Sequence, residues 1–278
     1  MAETTKIQWT DHTFNPWIGC TKISPGCAHC YAEGATPSRF MGIDWGKGKP
    51  RHRTSEANWK KPVTWNNKAK REGVRRKVFC ASLCDVFDTE VPQEWRDDLW
   101  SLIERCSNLD WQLLTKRLNT MKSSELLDMV PDSWRRRFPR NVWFGHSICT
   151  QAEANNVIPK MISIPARTRF LSMEPLLEAV NLAPVIGTSA IHWAIIGGES
   201  GSKARPFNID WLNDFLVDCS EEEIAPFVKQ LGANVEKGIH GDRWQIENLD
   251  RKGGNIEAWR PWMQVRLMPG DDFSYDPF

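Results

Sequence analysis

The sequence is short of several things that would settle its class quickly. Only 2 of its 278 residues are tyrosine, against 15 tryptophans. No apolar run approaches the roughly 20 residues of a membrane-spanning helix, and no apolar stretch of signal-peptide type opens the chain. Membrane spanning and secretion are therefore not expected, and a cytoplasmic location is. Internal repeats and low-complexity segments are absent from the sequence. A formal net charge of +1 carries no bulk preference for acidic or basic partners. The 8 cysteines, without a secretory context, read as thiols or as metal and cluster ligands rather than a disulfide framework.

Charge that is missing overall is present locally. Between Lys47 and Lys77 stand 12 Lys or Arg against 2 acidic residues, Glu56 and Glu72, and a second basic knot runs from Trp134 to Arg140. The stretch Lys60 to Lys77 includes Trp65 and the Asn66-Asn67 pair. Basic side chains supply phosphate contacts and aromatic ones can stack bases, so nucleic acid is the expected partner. The bland reading is a pair of solvated basic faces.

From about residue 77 short apolar runs alternate with helical patterns. Candidate strands are 78–83, 111–114, 142–145, 169–172, 193–196 and 226–229, each short and apolar, as in strands buried on both faces of a parallel sheet. Helical patterns fill 94–106, 151–161 and 209–217. Such alternation predicts an α/β fold, a partial TIM-like (β/α)6-type barrel. The barrel is expected over residues 1–232 and a small β-rich or irregular extension over 233–278. Residues 34–76, rich in Gly, Pro and charge, read as a long insertion at the barrel mouth.

Cys20, Cys27 and Cys30 form a C-x6-C-x2-C cluster inside Asn15-Pro-Trp-Ile-Gly-Cys-Thr-Lys-Ile-Ser-Pro-Gly-Cys-Ala-His-Cys-Tyr31. Thiolates suit iron–sulfur clusters and zinc. A structural zinc site prefers four ligands in two close couples. Here one couple is missing, though His12 or His29 could complete a Cys3His set. Three thiolates alone can hold three irons of a 4Fe–4S cluster and leave the fourth open. Iron–sulfur, zinc and plain buried thiols all remain open on these residues.

The predicted strands run into polar residues: Ser82 to Asp85, Thr115-Lys116-Arg117, His146-Ser147, Met173-Glu174-Pro175, Gly197-Gly198-Glu199-Ser200-Gly201 and Lys229-Gln230. In a parallel barrel these ends share one rim, where sites are built. The Gly-rich segment lacks the endings of a P-loop and of G-x-G-x-x-G. It reads either as a close approach to a ligand, with Glu199 in contact, or as a tight turn.

These motifs together resemble a phage-associated family of radical S-adenosylmethionine (SAM) proteins. The resemblance runs over most of the chain and rests on Phe14-Asn15-Pro16-Trp17, Gly19-Cys20-Thr21, Ser24-Pro25-Gly26-Cys27 and Cys30-Tyr31-Ala32. Further along it includes Leu114-Thr115-Lys116-Arg117, Leu171-Ser172-Met173-Glu174-Pro175-Leu176, Gly197 to Gly201 and Val228 to Gly232.

The resemblance implies a radical SAM barrel in which Cys20, Cys27 and Cys30 bind a 4Fe–4S cluster and SAM chelates the open iron. SAM would be cleaved to a 5′-deoxyadenosyl radical that takes hydrogen from the substrate, with electrons from a flavodoxin or ferredoxin. Gly197, Gly198 and Glu199 are candidate SAM contacts, with Ser82 and Asp85, after the first post-cluster strand, as alternatives by position. Arg117 or Lys229 would pair with a substrate carboxylate, and Glu174 is a further candidate substrate contact. The implied reaction isomerises 5-N-α-glycinylthymidine to 5-C-α-glycinylthymidine in phage DNA, within the host cytoplasm. Such thymidine hypermodification would serve restriction evasion. Other readings are a radical SAM lyase or modifying enzyme for another DNA or tRNA base, and a zinc-stabilised, non-catalytic nucleic-acid-binding protein. The sequence departs from the usual C-x3-C-x2-C spacing, has His29 where an aromatic residue usually precedes the last cysteine, and carries its Gly-Gly-Glu late in the chain.

Overall fold

The expected parallel sheet is present in the computed structural model, which describes residues 5–34, 41–182, 187–236, 238 and 249–275. Its strands are β1 (His12–Thr13), β2 (Arg76–Cys80), β3 (Leu109–Thr115), β4 (Val142–Ser147), β5 (Thr168–Met173), β6 (Trp193–Gly197) and β7 (Ala225–Gln230). They are hydrogen-bonded in the order of the chain, β1 to β7. The β1/β2, β2/β3, β5/β6 and β6/β7 pairs are parallel. A doubly wound sheet would reverse its order partway. This sequential order is the connectivity of a partial (β/α) barrel.

All six strands expected from apolar runs are present. β1 was hidden because it is two polar residues long. A helix within the region 34–76 lies between β1 and β2. The helix α1 (Glu56–Glu72) fills much of that region and connects β1 to β2. Its ends are well marked: the Ser55 side chain accepts from the Asn58 amide, Glu56 lies in the first turn, Lys70 and Arg71 in the last, and Gly73 closes it at φ +65°. Its buried face is Asn58, Pro62, Trp65, Asn66 and Ala69, without one Leu or Ile. The two asparagines are satisfied there. Asn58 Nδ2 donates to the Asn15 carbonyl at 3.0 Å, and Asn66 Oδ1 accepts from the Asn108 amide at 2.9 Å. Residues 35–40 of the expected insertion lie outside the described residues.

The chain divides into two compact units, Met1–Gly145 with Ser163–Thr168, and His146–Ile162 with Arg169–Phe278. In the first unit α2 (Gln93–Arg105) buries Leu99, Leu102 and Ile103, as its periodicity predicts. The short helices α3 (Ser123–Leu127) and α4 (Asp132–Arg136) precede β4. Much of the tryptophan excess is core. Trp100 packs on Trp134 with ring centroids 5.2 Å apart, and Trp134 on Phe138 at 5.4 Å. Such contacts each add about 0.5–1.5 kcal/mol beyond area burial.

In the second unit α5 (Gln151–Ile162) and α6 (Ile209–Glu221) match the expected helices. Every residue of β6 is buried. The described residues after 232 are largely irregular: Val235–Glu236 pairs with Phe207–Asn208, two 3-10 turns follow, and Arg266 bridges to Phe227. Residues 237, 239–248 and 276–278 of the expected extension lie outside the described residues. Among the described residues no helix is long and apolar enough to cross a membrane.

Candidate functional site

Parallel pairing brings the C-terminal ends of β1, β2 and β3 to one edge of the first unit, and each end carries a sequence-predicted residue. The cysteine loop follows β1, Ser82 and Asp85 follow β2, and Arg117 follows β3. The loop is tied down by backbone chemistry. Buried Asn15 accepts from the Ser82 and Leu83 amides at 2.8 and 2.7 Å and donates to the Ser82 hydroxyl at 3.0 Å. The Gly19 amide donates to the Leu83 carbonyl at 3.1 Å, and the Tyr31 hydroxyl reaches the Ser82 carbonyl at 3.1 Å. Between them Ser24 caps the 3-10 turn Pro25–Cys27, and the Cys30 amide bonds back to the Cys27 carbonyl.

Cys20, Cys27 and Cys30 are all half-buried free thiols. The Cys20 thiol is pushed up to about 12, first by burial and then by Asp85, with Arg117 pulling the other way. Arg117 Nη2 donates to Cys20 Sγ at 3.1 Å. Burial works against the Arg117 charge, but Asp85, Cys20 and Asp88 outweigh it and hold this guanidinium above its ordinary value. Cys80, the last residue of β2, and Cys84, just beyond it, are both pushed up by burial.

Asp85 is buried and spoken for. It accepts from the Thr115 hydroxyl at 2.8 Å and from the Phe87 and Lys116 amides at 3.0 and 3.1 Å, with Arg117 Nε 3.5 Å away. Arg117 leads on to a network that spacing and position do not reveal. Asp88 pairs with Arg117 Nη2 at 3.1 Å and with Arg51 Nη2 at 2.8 Å, and Arg51 also pairs with Glu90. Arg51 and Asp88 side chains are almost wholly shut off from solvent. Only an arginine and an aspartate far apart in a polar sequence announced them.

The remaining predicted residues lie in the second unit. Glu174, just after β5, pairs with Lys229 Nζ of β7 at 2.5 Å. Glu199 is clamped by Arg205, whose Nη2 and Nε lie 2.7 and 3.0 Å from its two carboxylate oxygens and whose amide adds a third bond at 2.9 Å. The Gly-rich segment has a packing reason. A Cβ on Gly198 would sit 2.3 Å from the Leu231 carbonyl oxygen, and one on Gly232, at φ +91°, would sit 2.9 Å from Gly198. Backbone meets backbone here, which leaves no room for a side chain at Gly198.

The aromatic half of the nucleic-acid expectation is corrected. Trp65 is buried and stacked on His12, ring centroids 4.3 Å apart at 4°. Trp134 is buried and its indole donates to Glu104 at 2.7 Å. Neither ring is presented to a base. The exposed residues of α1 include the basic Lys60, Lys68, Lys70 and Arg71, alongside Glu56, Ala57, Thr64, Asn67 and Glu72.

The donor set suits an iron–sulfur cluster: three soft thiols on one short loop, none in a disulfide, with a hydrogen-bond donor already placed on one sulfur. Among the described residues no three His, Cys, Asp or Glu side chains are gathered as around a single metal ion.

Comparison with known proteins places the chain in a family. The family described as "Protein of unknown function (DUF5131)" matches residues 4–260, and the chain belongs to it. No curated protein matches the sequence. Among solved structures, a spore photoproduct lyase variant with bound AdoMet and dinucleoside spore photoproduct is similar at a TM-score of 0.43 and 11% identity, over 70% of this chain and 57% of that one. A second variant of the lyase is similar at a TM-score of 0.44 and 12% identity, over 71% of this chain and 59% of that one. This chain thus spans less than two thirds of either lyase chain.

Proposed function

We propose that this member of the family is a radical SAM enzyme acting on nucleic acid, with Cys20, Cys27 and Cys30 as the ligands of a 4Fe–4S cluster. The observation that carries the reading is the convergence, at three neighbouring strand ends, of a three-thiol loop with Ser82, Asp85 and an arginine on the first sulfur. When bound, the cluster and SAM supply one-electron chemistry able to take hydrogen from an unactivated C–H bond.

What the chain's own residues contribute is placement. Asn15, Gly19 and Tyr31 fix the loop to the turn after β2, leaving the cysteines half-buried. Ser82 and Asp85 border the same loop and are the SAM contacts we favour. Glu199 is held by Arg205 and Glu174 by Lys229, so each would have to exchange a partner to serve a ligand. Exposed Lys60, Lys68, Lys70 and Arg71 of α1 would take DNA phosphates.

The specific reaction we favour is isomerisation of 5-N-α-glycinylthymidine to its 5-C-α isomer in phage DNA. A hydrogen on the glycine α-carbon is a fitting target, because amine and carboxylate stabilise the carbon radical left behind. Mass spectrometry of nucleosides from DNA incubated with reduced enzyme and SAM tests it. The expected product has unchanged mass and altered fragmentation. A product of changed mass, or modification of tRNA alone, would replace this substrate with another.

A further inference from the structure

The contacts around Cys20 close into a ring. Arg117 Nη2 is 3.1 Å from Cys20 Sγ and 3.1 Å from Asp88 Oδ2. Asp88 Oδ2 takes Arg51 Nη2 at 2.8 Å, and the same nitrogen reaches the Thr21 hydroxyl at 2.7 Å. Thr21 follows Cys20 in the chain and donates to Glu90 at 2.7 Å, which returns to Arg51. The first cysteine is thereby held twice, at its sulfur and at its neighbour.

Holding the loop needs only half of this. Arg51 binds Asp88, Glu90, Thr21 and the Gly46 and Lys49 carbonyls, which suffices to anchor the backbone. Arg117 is different. It is buried at a desolvation cost, fixed between Asp85 and Asp88, and spends a donor on sulfur. A neutral thiol is a weak acceptor, whereas a thiolate next to a guanidinium makes a charge-assisted bond.

We propose that Arg117 is a positioning residue for the Cys20 thiolate, not a substrate contact, and that its N–H···S bond makes a cluster bound there easier to reduce. This rests on the radical SAM reading. A cation bonded to a ligand sulfur stabilises the more negative, reduced cluster more than the oxidised one, since hydrogen bonds to sulfur and local charge set cluster potentials.

The test compares wild type, Arg117→Gln and Arg117→Lys after anaerobic iron–sulfur reconstitution, reading iron content and the midpoint potential by EPR-monitored titration. Arg117→Gln is expected to be about tenfold harder to reduce at a given poise, a shift of about 59 mV to more negative potential for one electron. Arg117→Lys, keeping the charge and losing the planar fork, is expected to shift less in the same direction. Cluster-loaded variants with the wild-type potential overturn the role of Arg117 while leaving the radical SAM reading intact. If Arg117→Gln does not fold, an unshifted Arg117→Lys potential overturns it alone. Wild type that takes up no iron overturns the radical SAM reading, and the proposal with it.

Discussion

Lys229 and Glu174, read from the sequence as separate substrate contacts, answer each other: Lys229 Nζ lies 2.5 Å from Glu174 Oε1, each side chain about one-fifth exposed, at 20% and 19%. The pair joins β7 to the end of β5. Lys229→Met leaves a carboxylate short of its partner and should cost about 1–3 kcal/mol. Urea unfolding checks this. An unchanged midpoint would mean that water already satisfies both groups.

Gly198 should tolerate no side chain. In Gly198→Ala the new methyl would press on the Leu231 carbonyl oxygen, which belongs to backbone and has little freedom to yield. A loss of about 1–3 kcal/mol or more is expected. Ser200→Ala, two residues on, serves as the control. Equal thermal midpoints for Gly198→Ala and wild type would contradict this packing account of Gly198.

The two kinds of residue in α1 should separate. Trp65→Ala removes a buried ring and should cost about 3–5 kcal/mol. Lys68→Glu, on the exposed side, should leave stability within about 0.5 kcal/mol. If α1 tracks a nucleic-acid backbone, Lys68→Glu weakens binding for all sequences and lowers the salt slope by about 1. Fluorescence anisotropy across a salt series reads both, and an unaltered slope removes α1 from the interface.

Glu90 makes the loop anchor sensitive to acid. The Gly48 amide bond first, then Thr21, hold its carboxyl below the ordinary value of 4.5. A depressed folded value means the folded state binds this proton less readily than the unfolded one. Its stabilisation is full above about pH 4.5 and is lost as pH falls below that. Wild type should therefore exceed Glu90→Gln in stability at pH 7 and lose that margin in acid. A margin independent of pH would contradict the assignment.

Legibility followed chemistry. Strands such as Trp193–Gly197 were plain because burial on both faces demands an unbroken apolar run. α1 was missed because its buried face uses Asn58, Pro62, Trp65, Asn66 and Ala69, and hydrogen bonds take the place of aliphatic packing. β1 was missed because two residues carry no periodicity. The cysteine loop and the polar strand ends Ser82, Asp85 and Arg117 were legible from spacing and position. Their partners were not: Arg51, Asp88 and Glu90 meet across 37 and 39 positions of sequence, and only folding reveals such pairs. Trp65 and Trp134 looked like stacking surfaces because composition cannot tell a buried ring from an exposed one.

The cysteine loop itself is tested most directly by its metal content. Anaerobic reconstitution of the wild type should give a brown protein with about four irons per chain, the content of one 4Fe–4S cluster, which releases 5′-deoxyadenosine when reduced with SAM. Cys27→Ala should lose both. A colourless protein carrying stoichiometric zinc, or a Cys27→Ala variant with cluster and SAM cleavage intact, would contradict the account.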